Sequence, residues 1–178
     1  MSDEDEFVLA KSVSHLLHRA QQLAADHFAR RVQNKFEYDI TLRQFALLSA
    51  VIEKPGVSQS ELVQITSIDR STLADMIKRM EDRGWVKRMA SKKDGRANAL
   101  KVQPAGLRVF TEVERDAVEA DHAVLREIPK KKRDALIDRL ERLSSAADKK
   151  FKLDRRSKRK AKNSADKEAT KVLGAPAE

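Results

Sequence analysis

The sequence predicts a mainly α-helical fold that carries one small β-hairpin. Apolar residues recur at steps of three and four over most of the chain, which is the spacing of one helix face. Two capping-box patterns, a hydroxyl residue followed three positions later by Gln or Glu, mark helix starts. An Asp-Gly pair between two short β-tolerant runs indicates a hairpin. The 178 residues suffice for one compact domain or two small ones.

The first predicted helix is long and runs from about Glu6 to Asn34. Its apolar positions, which include Val13, Leu16 and Phe28, follow helical steps, and neither Pro nor Gly interrupts them. This apolar stripe needs a surface to pack against.

Three shorter helices are expected next. The pattern Thr41–Gln44 is a capping box and opens the first of them, and Ser58–Glu61 is a second box that opens another. Asp69 caps a third helix, about Ser71–Arg83, which ends at Gly84 because glycine accepts the left-handed backbone that follows a helix.

After this third helix the period of the pattern changes. Trp85–Met89 and Ala99–Gln103 are predicted strands, and Asp94-Gly95 between them is a hairpin signal. The order of three short helices and a hairpin is that of a winged helix-turn-helix. In that motif the third helix enters the DNA major groove, and the hairpin touches the flanking backbone or minor groove.

Two further helices and a tail complete the prediction. Pro104 suits the first turn of a helix that reaches about Glu127. Pro129 separates it from a last helix, in which apolar residues from Leu136 onward follow heptad spacing. The rest is rich in Lys and Arg and poor in apolar residues, which is typical of a disordered tail.

The net charge of +9 is concentrated in two segments. Residues 70–101 carry ten basic and four acidic side chains, and residues 149–178 carry eleven and four. Such segments favour a polyanionic partner, of which nucleic acid is the commonest. The alternative is that the charge serves solubility alone.

The third helix has the layout of a DNA-reading helix. Leu73, Met76, Ile77 and Met80 share an apolar face, and polar residues lie opposite. The residues expected to read bases are Arg70, Ser71, Thr72, Asp75 and Lys78, and Arg79 is expected to bind phosphate. The alternative is an ordinary surface helix with a capping Asp69.

The hairpin tip concentrates three cations beside one acid: Lys92, Lys93, Asp94 and Arg96. An Arg at such a tip can enter a narrow minor groove, where the potential is most negative. A neighbouring carboxylate can orient the guanidinium by a charge-assisted pair. The alternative is a solvated turn.

Several classes of protein are excluded by composition and motif. The chain has no Cys, which rules out a disulfide scaffold and thiol chemistry. It has no apolar run of membrane-spanning length, and its acidic first six residues do not resemble a signal peptide, so the expected compartment is the cytoplasm. No nucleotide-binding loop or hydrolase motif appears, so neither an enzyme nor a cofactor is expected.

Read together, several motifs resemble the MarR family of bacterial transcriptional regulators over about residues 10–148. The matching runs are Leu42–Leu48, Ser58–Leu62, Asp69–Leu73, Arg79–Arg88, Asp94–Arg96 and Val102–Gly106. Pro104 and Trp85 depart mildly from the family pattern. The resemblance implies a homodimer on an inverted-repeat operator, acting as a repressor that a small molecule relieves, often an aromatic or phenolic compound.

The resemblance also implies a division of the chain into functional segments. These are an N-terminal dimerisation helix at 7–36, the winged domain at 37–103 and C-terminal dimerisation helices at 104–150. Composition adds an acidic disordered start at 1–6 and a basic, disordered tail at 151–178. The apolar stripes of the terminal helices fit this division, because a monomer would leave much of that surface wet. The alternative is that these helices pack only on their own domain.

The effector site has the weakest signal in the sequence. His15 and Arg19 are four residues apart on one helix face and could meet a carboxylate or phenol. A surface or core-edge histidine is the alternative, and no further ligands at suitable spacing suggest a metal. The basic body also admits a coenzyme A thioester as effector. The competing function is an architectural or non-specific nucleic-acid binder driven by the tail.

Overall fold

The computed structural model describes residues 7–33, 35, 39–90, 98–149 and 157. The chain divides into two compact units, with the boundary after Lys130. The elements of the first unit are α1 (Val13–Val32), α2 (Leu42–Glu53), β1 (Val57–Ser58), α3 (Gln59–Thr66), α4 (Arg70–Asp82), β2 (Val86–Ala90), β3 (Asn98–Val102) and α5 (Pro104–Arg126). In the second unit residues 133–149 form a helix, α6. This mainly helical architecture with a small sheet confirms the predicted fold class.

The first helix is shorter than predicted at both ends. Leu9–Lys11 form a separate 3-10 turn, and Ser12 is extended, so α1 begins at Val13 rather than near Glu6. It ends at Val32 because Gln33 leaves the helical conformation. Apolar periodicity continues through both ends of α1, and for this reason it could not locate either boundary.

The two predicted capping boxes are confirmed at the starts of α2 and α3. In the first, the Thr41 side chain accepts from the backbone N–H of Gln44, whose side chain accepts from the backbone N–H of Thr41. In the second, Ser58 and Glu61 make the same reciprocal pair. Each box satisfies donors that a helix start otherwise leaves unpaired.

The sheet has three strands rather than the two of the predicted hairpin. Strands β2 and β3 pair antiparallel, with Val86 opposite Val102, and β1 joins the other side of β3, with Val57 opposite Leu100. The order is β1-β3-β2. A two-residue strand is too short to show a pattern in sequence, and its partner lies over forty residues away, so β1 was missed.

One continuous core joins α1 and α5 to the winged part of the first unit. Its fully buried side chains include Phe28 of α1, Leu48 of α2, Leu73 of α4 and Val113 of α5. Phe45 connects these layers, with its ring 5.8 Å from that of Phe28 and stacked at 5.3 Å on Phe110. Part of the apolar surface of α1 and α5 is therefore buried within the chain itself, and the assignment of these helices to dimerisation stays a prediction.

Several predictions fall outside the described residues. They are the acidic start at 1–6, the hairpin tip with Lys92, Lys93, Asp94 and Arg96 and, apart from residue 157, the tail at 151–178. Within the described ranges, no helix combines the length and apolar character that a bilayer crossing requires.

Candidate nucleic-acid interface

Helix α4 is held in place by one face and open to solvent on the other. Leu73, Met76, Ile77 and Met80 are buried, as the sequence predicted. The predicted reading residues Arg70, Ser71, Asp75 and Lys78 are exposed, as is the predicted phosphate-binding residue Arg79, and Thr72 is half-buried at the border. The helix therefore presents polar and cationic side chains from a fixed backbone.

The start of α4 is capped by Asp69, also as predicted. One carboxylate oxygen of Asp69 accepts from the backbone N–H of Thr72 at 2.9 Å and from the hydroxyl of Ser71 at 2.6 Å. These hydrogen bonds from Ser71 and Thr72 hold the pKa of Asp69 well below its usual range. The cap is therefore a fixed negative charge at the exposed start of the helix.

The end of α4 is a Schellman motif centred on Gly84, which has a positive φ of 68°. The backbone N–H of Trp85 donates to Met80 at 2.9 Å, and that of Gly84 donates to Glu81 at 2.8 Å. Together these bonds satisfy carbonyls that the helix end leaves unpaired. The predicted stop at Gly84 is confirmed.

Two contacts that the sequence did not reveal tie the end of α4 to its surroundings. Glu81 accepts from the backbone N–H of Arg88 and pairs with the Arg88 guanidinium, each at 3.1 Å, which joins α4 to β2. Arg83 lies 5.0 Å over the Trp85 ring and donates to the backbone carbonyl of Asp39. From the sequence alone, Glu81, Arg83 and Arg88 are indistinguishable from other charged surface residues, because only the fold brings them to their partners.

The exposed cations of α4 are available to bind anions. Arg70, Lys78 and Arg79 have no ion pair within the part of the chain that the structure describes. By contrast, Lys54 at the end of α2 lies 2.6 Å from Glu61, and its charge is compensated. The three cations on α4 can therefore attract a polyanion such as nucleic acid.

The two effector candidates do not lie in the cleft that the structure shows between α1 and α5. This open cleft of about 550 Å³ is lined by Arg31, Lys35, Glu112, Arg115, Asp116 and Glu119. His15 is half-buried and Arg19 is exposed, both on α1. Their assignment to an effector site stays a prediction. Among the described residues, no three His, Asp or Glu side chains converge on a metal position.

The cleft contains a further contact that the sequence did not reveal. Both carboxylate oxygens of Asp116 lie 2.8 Å from Nζ of Lys35. The Asp116 side chain is only 11% exposed, so the ammonium compensates a nearly buried charge. This pair ties the segment after α1 to α5 across a wide sequence separation.

The fold and the exposed helix define a winged-helix, DNA-binding transcriptional regulator. A sequence model of the MarR family matches residues 38–97. The transcriptional regulator HosA of Escherichia coli is 34% identical over 93 residues, which are 52% of this chain and 67% of HosA. The chain belongs to the MarR family and is a regulator rather than an enzyme.

Two solved structures show how far the likeness extends through the fold. The PcaV transcriptional regulator of Streptomyces coelicolor, in complex with its natural ligand, is 26% identical, with a TM-score of 0.69 over 83% of this chain and 99% of that one. The transcriptional repressor CouR, bound to a 23-mer DNA duplex, has a TM-score of 0.66 over 79% and 99%, and its 24% identity supports the fold alone.

Proposed function

We propose that the chain acts as a homodimeric repressor that sets two α4 helices in the major groove of an inverted-repeat operator and is released by a small molecule. The observation that carries this proposal is the arrangement of α4, with four buried apolar side chains behind and uncompensated cations in front. Such a helix keeps its shape when it enters a groove, so its side chains meet bases at defined positions.

The proposed contacts with DNA divide into those that read base edges and those that anchor the protein on the backbone. The residues proposed to read base edges are Arg70, Ser71, Thr72, Asp75 and Lys78. Arg79 is proposed to bind phosphate. At the hairpin tip, the cations Lys92, Lys93 and Arg96 are proposed to contact the flanking backbone or minor groove, and Asp94 is proposed to orient the Arg96 guanidinium. Base contacts supply specificity, whereas phosphate contacts supply affinity that falls as salt rises.

Exposed apolar surface supports a homodimer. Near the chain start, Phe7 is 75% exposed and Val13 is 67% exposed. In α6, Leu140 and Leu143 are 42% and 55% exposed. Apolar side chains in such numbers on terminal segments favour burial against a second copy, as the assignment of 7–36 and 104–150 to dimerisation requires.

The proposed effector is an aromatic or phenolic acid, or its coenzyme A thioester. His15 and Arg19 offer a donor and a cation on one face of α1 for a carboxylate or phenol. The ligand-bound state of PcaV supports a small molecule as the class of effector. We expect aromatic acids to raise the melting temperature of the protein and to dissociate its DNA complex.

Competition binding at physiological salt tests the proposal. A duplex selected from random sequence should contain an inverted repeat and outcompete random DNA by about 10³-fold or more. Equal binding to all duplexes indicates instead an architectural protein, a function that the basic tail favours. A protein that sediments as a monomer at micromolar concentration contradicts the dimer.

A further inference from the structure

The start of α4 shows a hydrogen-bond arrangement that limits what Ser71 can offer to DNA. A hydroxyl has one proton and two lone pairs, and an ionised carboxylate can only accept. Because Ser71 Oγ lies 2.6 Å from Asp69 Oδ1, the Ser71 proton points to Asp69. The exposed lone pairs of Ser71 are therefore left to accept.

The Ser71 proton stays committed to Asp69 at neutral pH. Asp69 is ionised there, since its hydrogen bonds to Ser71 and Thr72 favour the charged form. A hydrogen bond to a charged acceptor is stronger than one between neutral groups, so a neutral base oxygen competes poorly for the same proton.

A second acceptor lies one turn further along the same helix. Asp75 is four residues after Ser71, about 6 Å along the helix axis. It has no hydrogen bond or ion pair within the described part of the chain, although Lys78 and Arg79 stand at helical spacing from it. Ser71 and Asp75 thus form a pair of acceptors among the cations of α4.

We propose that Ser71 and Asp75 select bases that carry an exposed amino group, cytosine or adenine, at two neighbouring positions of each operator half-site, with Asp69 as the positioning residue for Ser71. In the major groove only the cytosine N4 and adenine N6 amino groups donate. A guanine edge offers two acceptors and repels this pair. This inference rests on the proposed function and specifies which base edges α4 reads.

The test begins with selection of the operator by the purified full-length chain. Each selected cytosine or adenine is then replaced by its N4-methyl or N6-methyl form, which keeps the base pair and blocks the groove-facing hydrogen. Two positions per half-site, within three base pairs of each other, should each bind about 10- to 100-fold more weakly.

The same methylated duplexes are then measured with protein variants, which distinguishes the loss of a hydrogen bond from a steric effect of the methyl group. In Ser71→Ala the penalty at one position should fall below about 3-fold, and in Asp75→Ala the penalty at the other should fall likewise. Asp69→Asn keeps a good helix cap and should relax base preference at the Ser71 position while leaving the Asp75 position unchanged.

Matched controls remove the same groups elsewhere. Ser49→Ala deletes a hydroxyl that donates to Glu53 at 2.8 Å in α2, and Asp82→Ala deletes an exposed carboxylate at the far end of α4. Neither should change the methyl penalties. If the chain selects an inverted repeat but no methyl penalty depends on Ser71 or Asp75, this inference is overturned while the proposed function stands. Failure to select any inverted repeat overturns the proposed function with it.

Discussion

Substitution of Gly106 by Ala tests the packing that supports the end of α4. A Cβ at this position would lie 2.1 Å from the carbonyl oxygen of Trp85, and 2.8 Å and 3.0 Å from two further backbone atoms of that residue. Helix propensity alone predicts that Ala stabilises α5 by about 1 kcal/mol relative to Gly. The structure predicts the opposite sign.

The size of the destabilisation follows from how far Trp85 and α5 must move apart to admit the added methyl group. Trp85 and α5 must separate by about 1 Å, an overpacking of backbone that costs about 1–3 kcal/mol. The same displacement weakens the hydrogen bond from the Gln103 N–H to the Trp85 carbonyl, now 2.9 Å, at a further cost of about 1 kcal/mol. After the helix-propensity gain, the net destabilisation is about 2 kcal/mol, or roughly 4–8 °C in melting temperature.

Thermal and chemical unfolding of Gly106→Ala, followed by circular dichroism, measure this destabilisation. Trp85 is the only tryptophan, so its fluorescence reports the local displacement directly. Thr111→Ala on the exposed side of α5 serves as control, and we expect its stability to change by less than about 0.5 kcal/mol. A Gly106→Ala variant as stable as the parent, with unchanged emission, refutes the reasoning.

Further perturbations address the cap, the interface and the tail. The hydrogen bond from Lys54 and those from Ser58 lower the pKa of Glu61 from 4.5 to about 2. Its carboxylate therefore stabilises the fold above pH 4.5 and ceases to do so as the pH falls to about 2. Glu61→Gln should cost about 1 kcal/mol at pH 7, a discounted figure because the side chain is 40% exposed. In urea titrations this deficit should shrink as the pH falls below 4.5 and be lost once the pH is below about 2. Lys78→Ala should weaken operator binding by about 1–3 kcal/mol at pH 7 if it reads a base, measured by fluorescence anisotropy, with an unchanged affinity arguing against its role. Arg96→Ala should have a similar cost, and an effect near zero would remove the hairpin from the interface. Deletion of residues 152–178 should weaken binding to all DNA and make the salt dependence of binding less steep. The slope of log K against log salt should fall by about 0.9 for each phosphate that the tail no longer neutralises. An identical slope rejects a role of the tail in binding DNA.

Local chemistry explains why so much of the winged part was predictable. The boxes at Thr41 and Ser58, the Asp69 cap and the stop at Gly84 each involve residues within a few positions of one another. Their hydrogen bonds form wherever the chain is helical, whatever surrounds it. The buried face of α4 followed equally from its period.

Contacts between distant segments were beyond this kind of reasoning. The strand at Val57 exists only because β3 lies beside it, and the Lys35–Asp116 pair joins groups that the sequence separates by 81 positions. Arg83 likewise resembled any other surface cation until the fold set it over Trp85. In each case the contact forms because tertiary packing brings two distant segments together, and a pattern of neighbouring residues does not specify such a contact.

The amino-acid sequence by itself determined where the helices of the winged part begin, that α4 ends before Gly84, which face of α4 is buried and that its other face carries cations, because these properties depend on neighbours along the chain. Only the tertiary structure decided the third strand, the contacts that tie the end of α4 to β2 and to Asp39, and the close approach of α5 to the backbone of Trp85. These depend on distances between segments that are far apart in the chain, and it is folding that sets such distances.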